Sequence, residues 1–303
     1  MSAQLALISD SLVRAIPLIL TGLAVALAFR AGVFNLGAEG QFLVGAAAST
    51  AASLRLTGSP GVVILLVALI AGALAGALWA AVAAELRRRY QVLDIISTIM
   101  LNFIALYLVS FLVRGPLQEP THVYPQTQSI AESARLPVIL PGTRLHAGIL
   151  IAIAVAIVLY WIFRETAIGF RIRAAGAGPR AAESAGMVNV SLLSWKVFLW
   201  SGAIAGLAGA IEVNGVTFAL YENISPGYGY TAIAVALIAG LNPLAVIASG
   251  FFFGVLETGA SALQRDFAIP SSIAGMTEAL LILATLTFAS LRRRSTVLAG
   301  RES

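Results

Sequence analysis

The chain has 303 residues, of which 59% carry hydrophobic side chains and only 11% are charged, with a mean hydropathy of +0.92. Soluble domains carry about a quarter charged residues, so this composition excludes an ordinary soluble fold and indicates an all-α, polytopic membrane bundle. The net charge of +5 does not argue for nucleic acid, because most basic residues cluster beside apolar runs, as the positive-inside rule produces. With no cysteine, disulfides, thiolate metal sites and thiol nucleophiles are excluded. The two histidines, His122 and His146, have no metal-ligand neighbour at helical spacing.

No secretory signal stands at residues 1–10, so membrane integration is expected to begin with the first span. Apolar runs fit to cross about 30 Å of hydrocarbon, some shortened or glycine-interrupted, are predicted near 11–29, 35–55, 61–84, 93–113, 148–163, 195–213, 228–241, 244–262 and 273–290. That makes about nine segments in one transmembrane domain, 1–303. The second and seventh carry glycines and polar groups near one end, as broken or re-entrant helices do.

In the second run, residues 32–46 place Asn35, Glu39 and Gln41 among glycines within apolar surroundings. Carboxylates and amides at membrane depth face a bundle interior or a wet cavity, so this stretch reads as the wall of a passage. Asn102, Glu212, Asn214, Glu257 and Glu278 are likewise set among apolar residues. Asn102 is explained as hydrogen-bond glue between helices. Glu212, Glu257 and Glu278 fall in the outer part of their runs, where snorkelling to the headgroups is the alternative to an internal role. Asn35, Glu39, Gln41, Asn102, Asn214 and Glu257 form the predicted solute path. Gly72 and Gly76 in the third run, and Gly202, Gly206 and Gly209 in the sixth, read as faces for close helix crossing.

Blocks at Arg87–Arg89, Arg164–Lys196 and Arg292–Arg301 are expected to be cytoplasmic. Nine spans then put the N-terminus outside and the C-terminus inside. Six of the 19 basic residues (Arg14, Arg55, Arg114, Arg135, Arg144 and Arg265) lie outside in that arrangement, leaving 13 inside. Residues 114–147, rich in proline and polar side chains, become an outer loop that either meets a partner or simply connects. On the inner side, 164–196 contains small residues and a helix-prone piece, 180–186. Ala181, Ala182, Ser184 and Ala185 would let another protein's groove close over the backbone, with Gly176, Gly178 and Gly186 permitting turns at either end; an ordinary interfacial linker is the alternative. A second glycine-broken stretch at 223–230, with an asparagine and a small-residue helix after it, echoes 32–46 weakly.

No phosphate-binding glycine loop frames Lys196, the one lysine, and no HExxH, GxSxG elbow or glycosidase acid pair occurs, so nothing indicates a catalyst. An arginine-periodic voltage sensor and a TVGYG filter are absent as well.

FRAGVFNLGAEGQFLVGA (29–46), DIISTIMLNFIALYLVSFLVRGPLQEP (94–120) and IGFRIRAAGAGPRAAESAGM (168–187) resemble the permease subunits of bacterial ABC importers of the branched-chain amino acid, ribose and nucleoside type. The chain looks most like the longer of two paired permeases in nucleoside, or simple-sugar, uptake systems. The resemblance implies a multi-pass inner-membrane protein whose segment 174–190, with Gly176, Gly178, Pro179, Ala181, Ala182, Ala185 and Gly186, is received by a separate ABC ATPase. It implies a second permease subunit, a substrate-binding lipoprotein at the outer loops, and no cofactor on this chain, ATP being used by the partner. Many relatives have a further N-terminal span that this chain lacks. A carrier driven by protons or sodium, with Glu39 or Glu257 titrating, is the rival expectation.

Overall fold

The computed structural model describes residues 3–267 together with 276, 279, 280, 283 and 284. Ten α-helices follow one another: α1 (Ala3–Arg30), α2 (Ala38–Arg55), α3 (Gly61–Tyr90), α4 (Asp94–Arg114), α5 (Gly148–Glu165), α6 (Ala167–Ala177), α7 (Pro179–Ser184), α8 (Val190–Glu212), α9 (Tyr228–Ile238) and α10 (Pro243–Phe267). A 3-10 turn spans Glu132–Ala134, and α8 runs on into a π turn at Val213–Thr217. No strand forms among the described residues, where only two isolated bridges join backbone segments.

Among the described residues six helices are long and apolar enough to span a bilayer: α1, α3, α4, α5, α8 and α10. The second and seventh predicted runs fall on helices that do not meet that standard, α2 and α9. α2 is diluted by Glu39, Gln41, Ser49, Thr50 and Ser53, all buried. α9 has 11 residues, about 16 Å of helix, roughly half the hydrocarbon thickness. Most of the ninth predicted run, with Glu278, and the last arginine block lie outside the described residues.

Burial separates an inner layer from a shell. Past its exposed first turns α1 is closed in, with Leu18, Leu20, Leu23, Val25 and Ala26 wholly buried, and α2 lies beside it. α3 and α4 turn Val62, Leu66, Ile70, Leu74, Phe103 and Phe111 outward. Such continuous apolar exposure suits a lipid solvent and would be a liability in water.

The glycines predicted for close crossing carry that role. A side chain at Gly206 would strike the Gly72 carbonyl, one at Gly45 the Gly206 backbone, and one at Gly76 the Gly202 carbonyl. Three backbones, those of α2, α3 and α8, therefore meet without side chains between them, which maximises dispersion contact where no hydrophobic effect drives association.

Candidate functional site

After α1 the chain turns through Gly32, at φ +73°, and doubles back into the bundle to begin α2. The N-cap position, Gly37, offers no side chain to the free N–H groups of the first turn. Two side-chain amides, those of Asn35 and Asn102, accept backbone N–H groups there instead, and Gln41 pairs with the first. Asn35 Oδ1 accepts the Gly37 N–H at 2.9 Å and the Gln41 side-chain amide at 3.0 Å, while Asn35 Nδ2 donates to Gln41 Oε1 at 3.0 Å and to Ser201 Oγ at 2.8 Å. Asn102, from α4, accepts the Gly40 N–H at 2.8 Å and donates to the Leu36 carbonyl at 2.9 Å. All three amides are essentially closed to solvent; the Tyr230 hydroxyl lies 3.4 Å from Asn102 Nδ2, and the ring of Phe34, next to Asn35 in sequence, is exposed.

Glu39 meets the start of the half-length helix α9. Its carboxylate accepts the Gly229 N–H at 2.7 Å, with the Ser225 hydroxyl close by. Ser225 Oγ in turn accepts the Gly227 and Tyr228 N–H groups, each at 3.1 Å. The contact requires glycine at 229, since a Cβ there would overlap the Glu39 backbone nitrogen. A carboxylate here also complements the partial positive charge of the helix N-terminus.

Four of the predicted path residues, Asn35, Glu39, Gln41 and Asn102, are thus brought together. Asn214 and Glu257 are not among them. Asn214 lies in the π turn and donates to Ser49 Oγ and the Ala210 carbonyl, both at 2.7 Å. Glu257 is on α10, 3.9 Å from Arg14 of α1. Glu212 is buried, against the snorkelling alternative, and lines a partly open cavity of about 200 Å³ with Arg14, Arg144, Tyr228, Thr258 and Arg265. Arg144 and Arg14 near it offset part of the cost of burying a carboxylate. Arg14, Arg144, Ser201 and Ser225 had no part in the predicted site. A basic residue within an apolar run was the one available signal, and only Arg14 carried it.

The 114–147 segment is tied to the stretch after α8. Thr127 and Ile130 donate backbone N–H groups to Leu220 and Phe218, each at 2.8 Å, and the Arg135 guanidinium stacks 4.3 Å from the Phe218 ring centre. Arg114 grips Glu222 through both Nε and Nη2, at 2.6 and 2.8 Å, with Ser110 also donating. These partners hold the Glu222 carboxyl down at about 2.

On the basic side, Arg87 pairs with Asp94, whose carboxylate also accepts the Phe34 N–H at 3.3 Å. Thr166 caps α6 through Gly169, and Asn189 caps α8 through Leu192. Between them, α7 starts on Gly178 and Pro179 and ends at Gly186, φ +67°. The helix-prone piece expected at 180–186 is α7, and Gly178 divides it from the separate helix α6 before it. Gly176 is not a turn but part of α6, where its missing side chain admits the Arg30 carbonyl. Ala181, Ala185 and Gly186 are exposed, whereas Ala182 is buried.

Fold and site together define an all-helical, multi-span membrane protein built around two buried, polar helix starts. Residues 7–289 match the family described as "branched-chain amino acid transport system / permease component", and the chain belongs to that family, which is one of transport permeases and not of enzymes. The chain is 38% identical to the glucose ABC transporter permease protein TsgB13 of Haloferax volcanii, over 92% of this chain and 76% of that one. It is 36% identical to the guanosine ABC transporter permease protein NupP of Bacillus subtilis, over 91% and 80%. The nucleoside ABC transporter permease protein NupB of Lactococcus lactis is 30% identical over 90% and 77%. Second permeases of the first two organisms, TsgC13 and NupQ, match at 28% and 27%. No solved structure matches the chain.

Proposed function

We propose that the chain is the permease component of an ATP-driven ABC importer for nucleosides or simple sugars such as glucose. The observation that carries this reading is the match along nearly the whole chain to permeases named for those solutes. It works by alternating access, with a separate ATPase consuming the ATP, and changes no bond in the solute. The nine-span count, the single domain 1–303, an outer N-terminus and a cytoplasmic C-terminus complete the arrangement in a bacterial inner membrane.

The solute passes the start of α2. There Asn35, Glu39, Gln41 and Asn102 hold the wall's backbone, while the exposed Tyr230 hydroxyl and Phe34 ring offer a hydrogen bond and a stacking face to a sugar or base. Asn214 and Glu257 belong to the same route further out. The exposed Gly176, Pro179, Ala181, Ala185 and Gly186, with the half-buried Gly178, receive the ATPase, and the buried Ala182 supports them from beneath. The ATPase must bind this segment unequally in its open and closed states, since equal affinity would shift no equilibrium. Two similar permeases in each of two organisms support a heterodimer with a second permease. The outer 114–147 segment, fastened to 218–222, is where a substrate-binding lipoprotein docks.

The test is uptake of labelled guanosine and labelled glucose by vesicles holding this chain, its encoded neighbour permease and ATPase. ATP-dependent uptake of either solute is expected, with the other as competitor to rank them. Uptake driven by a proton gradient and indifferent to ATP would overturn the assignment in favour of an ion-coupled carrier.

A further inference from the structure

Beside the ATPase-facing segment the bundle leaves a long open groove made of two adjoining parts. The part within the bundle wall, about 520 Å³, is walled by Leu159, Ile162, Ile172, Trp200 and Ile204 and is almost wholly apolar. The other part, about 630 Å³, lies at the ends of α6 and α8 and is bordered by Arg171 and Lys196. Ile168 and Trp200 line both, so the two are continuous. From Lys196 to Ile204 the groove follows α8 for roughly 12 Å, the length of a good part of an acyl chain.

Arg171 and Lys196 are exposed, and neither is in an ion pair among the described residues. Of the acidic side chains only Glu183 borders the same part of the groove, which leaves the rim net positive. Trp161 and Trp200, both partly exposed, flank the apolar part, as amphipathic rings do at a membrane interface.

We infer that this groove is a binding site for one anionic phospholipid, its acyl chain along α5, α6 and α8 and its phosphate between Arg171 and Lys196. A basic rim joined to an apolar channel matches an anionic amphiphile, and neither a sugar nor a nucleoside has a tail to fill the apolar part. The lipid occupies the leaflet on the arginine-rich side, next to α7, so headgroup occupancy stiffens the platform on which the ATPase rests. The site is separate from the solute wall at α2, and its failure would leave the transport reading intact.

Native mass spectrometry of the full chain in detergent tests it, with phosphatidylglycerol and phosphatidylcholine of equal chain length as probes. One retained phosphatidylglycerol and no retained phosphatidylcholine is expected. Each basic residue near an anionic headgroup is worth about fivefold in retention, or about 1 kcal/mol, so R171Q/K196Q should retain roughly thirtyfold less. Ala203→Phe, which fills the apolar part without touching the charges, should also expel the lipid while leaving thermal stability unchanged. Equal retention of both lipids, or an unaltered double variant, overturns the proposal. So does displacement by millimolar inorganic phosphate with Ala203→Phe behaving as wild type, since that marks a site for a free anion.

Discussion

The carboxylate of Glu39 accepts the backbone N–H of Gly229 at 2.7 Å, across 190 residues of sequence. The start of one buried helix is thereby bound to the start of another, and neither helix by itself spans the membrane as a plain apolar segment.

If Glu39 acts as this cap, an acceptor oxygen is what the position needs. Glu39→Gln keeps one and should leave thermal stability and uptake within about twofold of wild type. Glu39→Ala leaves the Gly229 N–H without its acceptor and should cost about 1–3 kcal/mol. Thermal unfolding in detergent, with uptake measured in parallel, separates the two. An inactive but stable Glu39→Gln would point instead to a carboxylate that titrates during transport.

The two faces of α7 make a second contrast. Ala181 is exposed and Ala182 buried, although the two are neighbours. Ala181→Arg should fold normally and reduce ATP-dependent uptake roughly tenfold, within the range of ordinary coupling factors. Ala182→Arg should lower the unfolding temperature before any question of coupling arises, because a cation would be forced into a buried site. Equal stability of the two variants would contradict the placement of α7.

How much of this was legible in the sequence depends on the kind of signal. Apolar length and arginine blocks marked the spanning helices, since hydrocarbon thickness imposes both. Gly72, Gly76 and Gly202 were read as crossing points because four-residue spacing puts small residues on one helix face. The cluster of Asn35, Glu39 and Gln41 was legible as polar groups that must face inward. Their partners Ser201, Ser225 and Gly229 were not, for those contacts span 166 residues or more and leave no local pattern. Glu212 was read with a snorkelling alternative because a single span shows depth without showing which side chains from other elements face it. Arg144, which does so, sits in a loop.

His146 gives a pH dependence. Its Nδ1 accepts the Gly148 N–H at 3.2 Å, its ring packs on Gly215, and burial, aided by Arg144, holds its pKa down at about 4. The unfolded chain therefore binds the proton first, so stability from this group is complete above about pH 6.5 and lost as pH falls from there to about 4. The full loss is about 3 kcal/mol. Unfolding measured at pH 7 and pH 4.5 should show a smaller drop in His146→Phe than in wild type, and an equal drop would place the acid-sensitive group elsewhere.

Glycine substitutions should divide sharply. A methyl group at Gly206 collides with the Gly72 carbonyl, backbone that cannot swing aside, so Gly206→Ala should unfold or separate α3 from α8. Gly259, within α10, has nothing within 4 Å of the same position. Gly259→Ala should be neutral or stabilising by up to about 1 kcal/mol, because alanine loses less freedom on forming helix. Size-exclusion profiles after a heat step would rank the two variants against wild type.

Asn35 and Gln41 form a reciprocal pair in which each amide both gives and receives. Removing one partner leaves the other's donor and acceptor buried without water, a cost of about 1–3 kcal/mol for each group, whereas removing both takes the unpaired groups away with them. Gln41→Leu alone should therefore be markedly destabilising. Asn35→Leu should be worse, because Asn35 also caps Gly37 and binds Ser201. The double variant should then be less destabilised than the two single losses added together, by 0.5–3 kcal/mol of coupling in a thermodynamic cycle of roughly that size. Additive losses would mean that the two amides are held independently by the backbone. In that case the α2 start would be rigid without its side-chain pair, and Asn102, which receives Gly40 and donates to Leu36, would carry the constraint by itself.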